Sequence, residues 1–194
     1  MPNSPVQFSA VLLAGGKSSR MGRDKAALVV NGRPLWRRQL ATLEATGAAE
    51  VFVSGKPDWP HEGIVCVPDS VEDSGPLAGI AASLRHCASP FLLALAVDMP
   101  SMTAAFLQKL AALAAEPRTG VVPVLGGRFE PLAAIYPKGA LPIAEGRLRL
   151  GIRKLENFVA ELEHSGLVTR HIVAEADAAL FANWNEPGDV QPQP

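Results

Sequence analysis

Between Gly15 and Lys25 the chain sets three glycines, two serines and four basic residues (Lys17, Arg20, Arg23, Lys25) in eleven positions. Glycines let backbone N–H groups approach and point at an anion, and nearby cations add charge, so this combination suits phosphate. Two common phosphate loops do not fit. GxxxxGK[ST] would end on Gly16-Lys17-Ser18, but its first glycine falls on Val11, and GxGxxG fails because Lys17 and Ser18 stand two places after Gly15 and Gly16. Gly15 and Gly16 alone would suit a tight strand-to-helix turn; with Arg20 and Lys25 following, they read as a phosphate loop. Lys17 and Arg23 read as solvated surface. Asp98 ends the apolar run 91–97 and is followed by Met99-Pro100. A carboxylate there reads as a metal ligand in preference to a turn or cap residue.

These groups need strand ends to hold them. Residues 6–14 are mostly apolar and run into the glycines, as a buried strand emptying into a loop does. Leu35, Leu40, Leu43 and Ala45 predict a helix that opens near Pro34 and ends at Gly47. Short strands follow at 51–53 and 64–67. Pro76 opens a second helix through Leu77, Ile80, Ala81 and Leu84. The run 91–97 is a strand covered on both faces. A helix over 103–115 and a strand over 119–124 come next, then a turn at Gly126-Gly127, a strand over 129–136, a helix over 152–162 and a last strand over 167–173. The alternation predicts one α/β domain with a mostly parallel sheet, whose ligands lie outside the carboxyl ends of the strands. Residues 190–194 read as a frayed tail.

Composition narrows the class. Hydrophobic residues make up 48% of 194 and charged ones 19%, with a formal net charge of -1, which is globular and carries no electrostatic footprint for nucleic acid. The longest apolar stretch is far shorter than the roughly 20 residues a membrane helix needs. Cys66 and Cys87 have no CxxC partner, and the four histidines have no ligand spacing, so neither zinc nor a disulfide framework is expected and a reducing cytoplasm is the default.

The segment from Leu13 to Lys25, LAGGKSSRMGRDK, closely resembles the LAGGxSxRMGxDK signature of nucleotidyltransferases that use nucleoside triphosphates, and in particular the molybdenum cofactor guanylyltransferases of the MobA type. Further along, Asp69 with Gly75-Pro76-Leu77-Ala78-Gly79 resembles that family's D…GPLAG segment, and Asp98-Met99-Pro100 its DxP metal motif. Glu130-Pro131-Leu132 with Tyr136 resembles a PLxAxY element, and residues 183–189 (NWNEPGD) the terminal N-x-N-x-P-x-D.

The resemblance implies a single nucleotidyltransferase domain over residues 1–189, a three-layer α/β/α sandwich that is Rossmann-like and similar to nucleotide-diphospho-sugar transferases. It implies transfer of GMP from GTP to the terminal phosphate of molybdopterin or its molybdenum form, with release of pyrophosphate and with Mg2+ as cofactor. Arg20, Lys25 and Asp98 would be catalytic, with Asp98 on the metal. Leu13, Ala14, Gly15, Gly16, Lys25, Ser54, Asp69 and Asp98 would meet the nucleotide, and Asn183 and Asn185 would lie on the acceptor side. A cytoplasmic enzyme with transient contacts to cofactor-biosynthesis proteins or apo-molybdoenzymes is implied, with no nucleic acid or membrane partner. The sequence departs from the family pattern at Ser54, where asparagine is frequent, at Glu130, where histidine is, and at Glu186, where threonine is. Rival readings are a cytidylyltransferase on the same pterin, another small-molecule phosphate nucleotidyltransferase, and a non-catalytic nucleotide-binding regulator.

Overall fold

Strand β1 (Phe8–Leu13) is buried along its whole length, and alternate side chains enter two different hydrophobic layers: Phe8, Ala10 and Leu12 in one, Val11 and Leu13 in the other. That double burial follows from the mostly apolar run, since a strand covered on both faces has no polar side to alternate with, and the one hydroxyl in it, on Ser9, is buried and donates to Glu50. The computed structural model describes residues 6–14, 29–30, 32–55, 63–69, 74–114 and 119–184.

After β1 come the short antiparallel pair β2 (Val29–Val30) and β3 (Arg33–Pro34), then α1 (Leu35–Glu44), β4 (Val51–Gly55), β5 (Cys66–Pro68), α2 (Pro76–His86), β6 (Phe91–Ala96), α3 (Ala104–Leu113), β7 (Gly120–Leu125), β8 (Arg128–Phe129), β9 (Ala133–Pro137), α4 (Leu141–Arg149), α5 (Leu155–His164) and β10 (Val168–Ile172). Among the described residues, 3-10 turns cover Lys138–Ala140 and Glu175–Phe181. Among the described residues the main sheet runs β10-β7-β9-β6-β1-β4-β5, with β8 paired to β7. β1 pairs in parallel with both β4 and β6, β4 with β5, and β7 with β10; β9 alone on that path runs against its neighbours β6 and β7. The first layer, with Leu40, Leu43, Phe106, Leu107 and Phe181, sets α1 and α3 on one face; the second, with Leu77, Ile80, Phe158 and Leu162, sets α2, α4 and α5 on the other. The three-layer α/β/α sandwich is therefore the observed architecture.

Local differences from the sequence reading have local causes. Pro34 closes β3 and caps α1 instead of lying in its first turn. The strand expected over 129–136 is two: Pro131 has no N–H for a ladder, and the Tyr136 hydroxyl donates to the Pro131 carbonyl at 2.7 Å, so the chain turns there. Gly126 and Gly127 both take positive φ, 56° and 79°, which is what a two-residue hairpin between Leu125 and Arg128 requires. α4 has no counterpart in the sequence reading, because only Ala144 of its nine residues is buried and no apolar stripe marks it.

Candidate active site

From β1 the chain crosses to β4 and β5 on one side, then returns to β6 on the other. A crevice outside the carboxyl ends of the strands, at such a reversal, is where open α/β sheets take their ligands. The register brings Leu13 level with Ser54 on one side and Ala96 on the other. At this edge the strands are tied by backbone: Ala14 N–H donates to the Ser54 carbonyl at 3.0 Å and Val97 N–H to the Leu13 carbonyl at 3.2 Å. Those two groups hold the strand ends together, while the Leu13 side chain is buried in the layer beneath α2.

Ser54 is 1% exposed, and its hydroxyl donates to Asp69 Oδ1 at 2.8 Å. Burial pushes the Asp69 carboxyl up from the ordinary aspartate range, and the Ser54 hydrogen bond acts against that shift. α2 comes close behind the pair. A Cβ on Gly79 would lie 2.7 Å from Ser54 Oγ, 3.2 Å from Leu13 Cδ2 and 3.3 Å from Asp69 Oδ1. Gly79 is thus glycine because helix and strand end meet at that point, and the pattern G-P-L-A-G carries a packing requirement as well as the helix start at Pro76.

Asp98 stands in the turn that ends β6, partly exposed. Its carbonyl accepts from Trp184 N–H at 2.9 Å, which draws the last described residues back over the crevice. Trp184 itself rests on the α1/α3 layer, as a rim residue does, and Asn183 beside it is exposed. From α1, the buried Gln39 side chain donates to the Met99 carbonyl at 2.5 Å and the Ala96 carbonyl at 3.5 Å, on either side of Asp98. Gln39 was not legible as a site residue, since nothing in its helix period separates it from a solvated glutamine. On the far side of β6, the turn 130–132 reaches the same edge: Ala96 N–H donates to the Leu132 carbonyl, and Glu130 N–H to that of Pro123. Burial raises the Glu130 carboxyl too.

The structure thus brings Leu13, Ala14, Ser54, Asp69 and Asp98 to one edge of the sheet, with Asn183 next to the residue that binds the Asp98 carbonyl. Gly15, Gly16, Arg20, Lys25 and Asn185 lie outside the described residues, as do 190–194. Among the described residues no three His, Cys, Asp or Glu gather into a protein-made metal cage. A strand-end carboxylate can serve as one protein ligand of a hard cation that takes its remaining oxygens from phosphates and water, and Asp98 fits magnesium in that sense.

A doubly wound sheet that collects a buried serine and two aspartates at the carboxyl ends of its strands defines a nucleotide-handling α/β enzyme. The chain belongs to the MobA-like NTP transferase domain family, whose model matches residues 10–166. It is 39% identical over 187 residues to a probable molybdenum cofactor guanylyltransferase of Opitutus terrae, covering 94% of this chain and 92% of that one. It is 34% identical to the protein of the same description from Pelotomaculum thermopropionicum, at 95% and 91% coverage. The crystal structure of molybdopterin-guanine dinucleotide biosynthesis protein A from Archaeoglobus fulgidus superposes with a TM-score of 0.73 over 94% of each chain at 23% identity. Among the described residues no helix is long and apolar enough to cross a membrane.

Proposed function

We propose that this chain transfers GMP from GTP to the terminal phosphate of a molybdopterin-type acceptor and releases pyrophosphate, in the cytoplasm. The observation that carries the reading is the Ser54–Asp69 pair, wedged between the end of β1 and Gly79 on the same edge of the sheet as Asp98.

In this reaction an acceptor phosphate oxygen attacks the α-phosphorus of GTP. The new P–O bond forms as the bond to the β-phosphate oxygen breaks, and pyrophosphate leaves with that electron pair. Both partners are anions, so cationic groups and preorganised donors dominate the catalysis, and no side-chain base is needed because the nucleophile is already ionised. Arg20 and Lys25, with the backbone of Gly15 and Gly16, hold the triphosphate. Asp69, its second oxygen beyond the Ser54 bond, accepts from the nucleoside. Asp98 is the residue that holds magnesium, which when bound offsets charge on the phosphates. Asn183 and Asn185 are assigned to the acceptor by their place in the terminal N-x-N motif. Family likeness and loop sequence support the roles of Gly15, Gly16, Arg20, Lys25 and Asn185, strand-end geometry supports those of Asp69 and Asp98, and contacts with proteins that supply or receive the cofactor are part of the same reading.

The test is a comparison of nucleotides. With magnesium present, GTP at about 100 times its dissociation constant should stabilise the protein by about 2.7 kcal/mol, and CTP and ATP at the same concentration by clearly less. Pyrophosphate should then be released only when the pterin acceptor is added. Preference for CTP would make the chain a cytidylyltransferase on the same crevice; nucleotide binding without pyrophosphate release under any acceptor would make it a regulator. Lys25→Ala should weaken GTP binding and turnover together, because its contact exists in both ground and transition states.

A further inference from the structure

α1 buries one face, made of Leu35, Trp36, Gln39, Leu40 and Leu43. Four of these are what an amphipathic helix requires; the fifth is an amide, 1% exposed, in a layer otherwise built of apolar side chains. A primary amide buried among hydrocarbon costs free energy unless its donors are satisfied, and a leucine would fill the same volume without that demand. The Gln39 Nε2 group meets the demand by reaching two carbonyls 57 and 60 residues away, Ala96 and Met99. Those two carbonyls bracket Val97 and Asp98. The same turn is fixed from two other directions: Val97 N–H donates to the Leu13 carbonyl, and Trp184 N–H to the Asp98 carbonyl. Met99 O, which Gln39 binds, also accepts from Met102 N–H at 3.1 Å, so one carbonyl joins α1 to the entry of α3 through the turn.

We propose that Gln39 is a positioning residue for Asp98: its amide clamps the two carbonyls that flank the aspartate and so sets the direction in which the carboxylate leaves the sheet edge. This rests on the assignment of Asp98 as the magnesium carboxylate. A group that orients a metal ligand acts on metal affinity more than on substrate affinity, and its loss commonly costs about 10- to 100-fold in the former. Gln39 touches neither nucleotide nor acceptor, so the signature of its role is a change in magnesium dependence at constant GTP affinity.

The experiment uses the full chain in four variants: Gln39→Met, which keeps volume and removes the donors; Gln39→Asn, which keeps the amide on a shorter stem; Thr46→Val, which removes another buried hydrogen bond of the same segment, from Thr46 Oγ1 to the Leu43 carbonyl at 2.6 Å; and Asp98→Asn. Two readouts are taken. Amide hydrogen exchange at Met102 and Trp184 is measured by NMR without metal or nucleotide, and pyrophosphate release is titrated with magnesium at saturating GTP and molybdopterin acceptor. Gln39→Met should speed exchange at both amides and raise the half-saturating magnesium concentration about tenfold, with the KM for GTP at saturating magnesium moving by less than about twofold. Gln39→Asn should fall between Gln39→Met and the native chain, and decides the matter if Gln39→Met does not fold. Thr46→Val should lower the melting temperature and leave both readouts unmoved. The proposal is overturned if Gln39→Met and Gln39→Asn change only the melting temperature, as Thr46→Val does. If Asp98→Asn leaves the magnesium dependence unchanged, the metal assignment itself falls and the proposal with it, even where exchange at the turn has risen.

Discussion

Asp69 and Glu50 show how single carboxylates are tuned in opposite senses at the two ends of the sheet. Burial raises the Asp69 carboxyl above its ordinary range, so ionisation opposes folding. That penalty is absent below the usual aspartate pKa of about 3.9 and is fully present once pH exceeds the raised folded value. Asp69→Asn, which can still accept from Ser54, should therefore melt no lower than the native chain at pH 7 and lose that advantage near pH 3, while its stabilisation by GTP shrinks; thermal melts with and without GTP across pH check both arms. Glu50 goes the other way. The Ser9 hydroxyl at 2.5 Å and Ala88 N–H at 2.8 Å both donate to its Oε1 and hold the carboxyl below the usual range. Its contribution is present above the ordinary glutamate pKa of about 4.3 and is lost as pH falls through the folded value, so Glu50→Gln should lower the melting temperature at pH 7 and converge with the native chain near pH 3. Asp98 and Asp69 were legible because a carboxylate next to an apolar run or a G-P-L-A-G segment stands out in one dimension. Gln39 was not, because its meaning lies in carbonyls some 60 residues further on.

At the scale of elements, α2 matters through its point of closest approach. Gly79→Ala puts a methyl group 2.7 Å from Ser54 Oγ, and overpacking of that kind commonly costs about 1–3 kcal/mol. The displaced hydroxyl also loses its line to Asp69, so GTP affinity should fall with stability. In a Ser54→Ala background the obstructing oxygen is gone, and Gly79→Ala should then cost clearly less; additive effects of the two substitutions in melting temperature and GTP affinity would refute the contact. α3 offers a control away from the crevice. Thr103 Oγ1 accepts from Phe106 N–H at 3.3 Å as the helix cap, so Thr103→Ala should cost about 1 kcal/mol in denaturant unfolding and leave the KM for GTP unchanged. Buried strands and amphipathic helices such as β6 and α5 announce themselves by their apolar pattern. α4 does not, because only Ala144 of it is fully buried, with Leu141, Ile143 and Leu148 at the margin of the layer, and its ion pairs, Glu145 with Arg85 and Arg147 with Glu161 at 2.7 Å, have no period.

For the whole molecule, the alternation of strands and helices was enough to read an α/β domain with a mostly parallel sheet, while the three layers were read from the family resemblance; a strand as apolar as β6 needs a cover on both sides. Strand order, and which strand is reversed, were not readable, because period and composition are the same whichever way a strand runs. The case in point is β9, which lies between β6 and β7 and against both. That placement has a consequence for synthesis. Strands β5, β4, β1 and β6 come from residues 8–96 and can assemble as soon as they leave the ribosome, but the bare edge of β6 waits for residues 133–137. At a translation rate of about 5–20 residues per second, the most apolar strand of the protein stands for some seconds as an open template for another chain. Nascent chains arrested before residue 133 should accordingly associate with one another or with chaperones, and chains arrested far enough past residue 137 for β9 to have emerged should not.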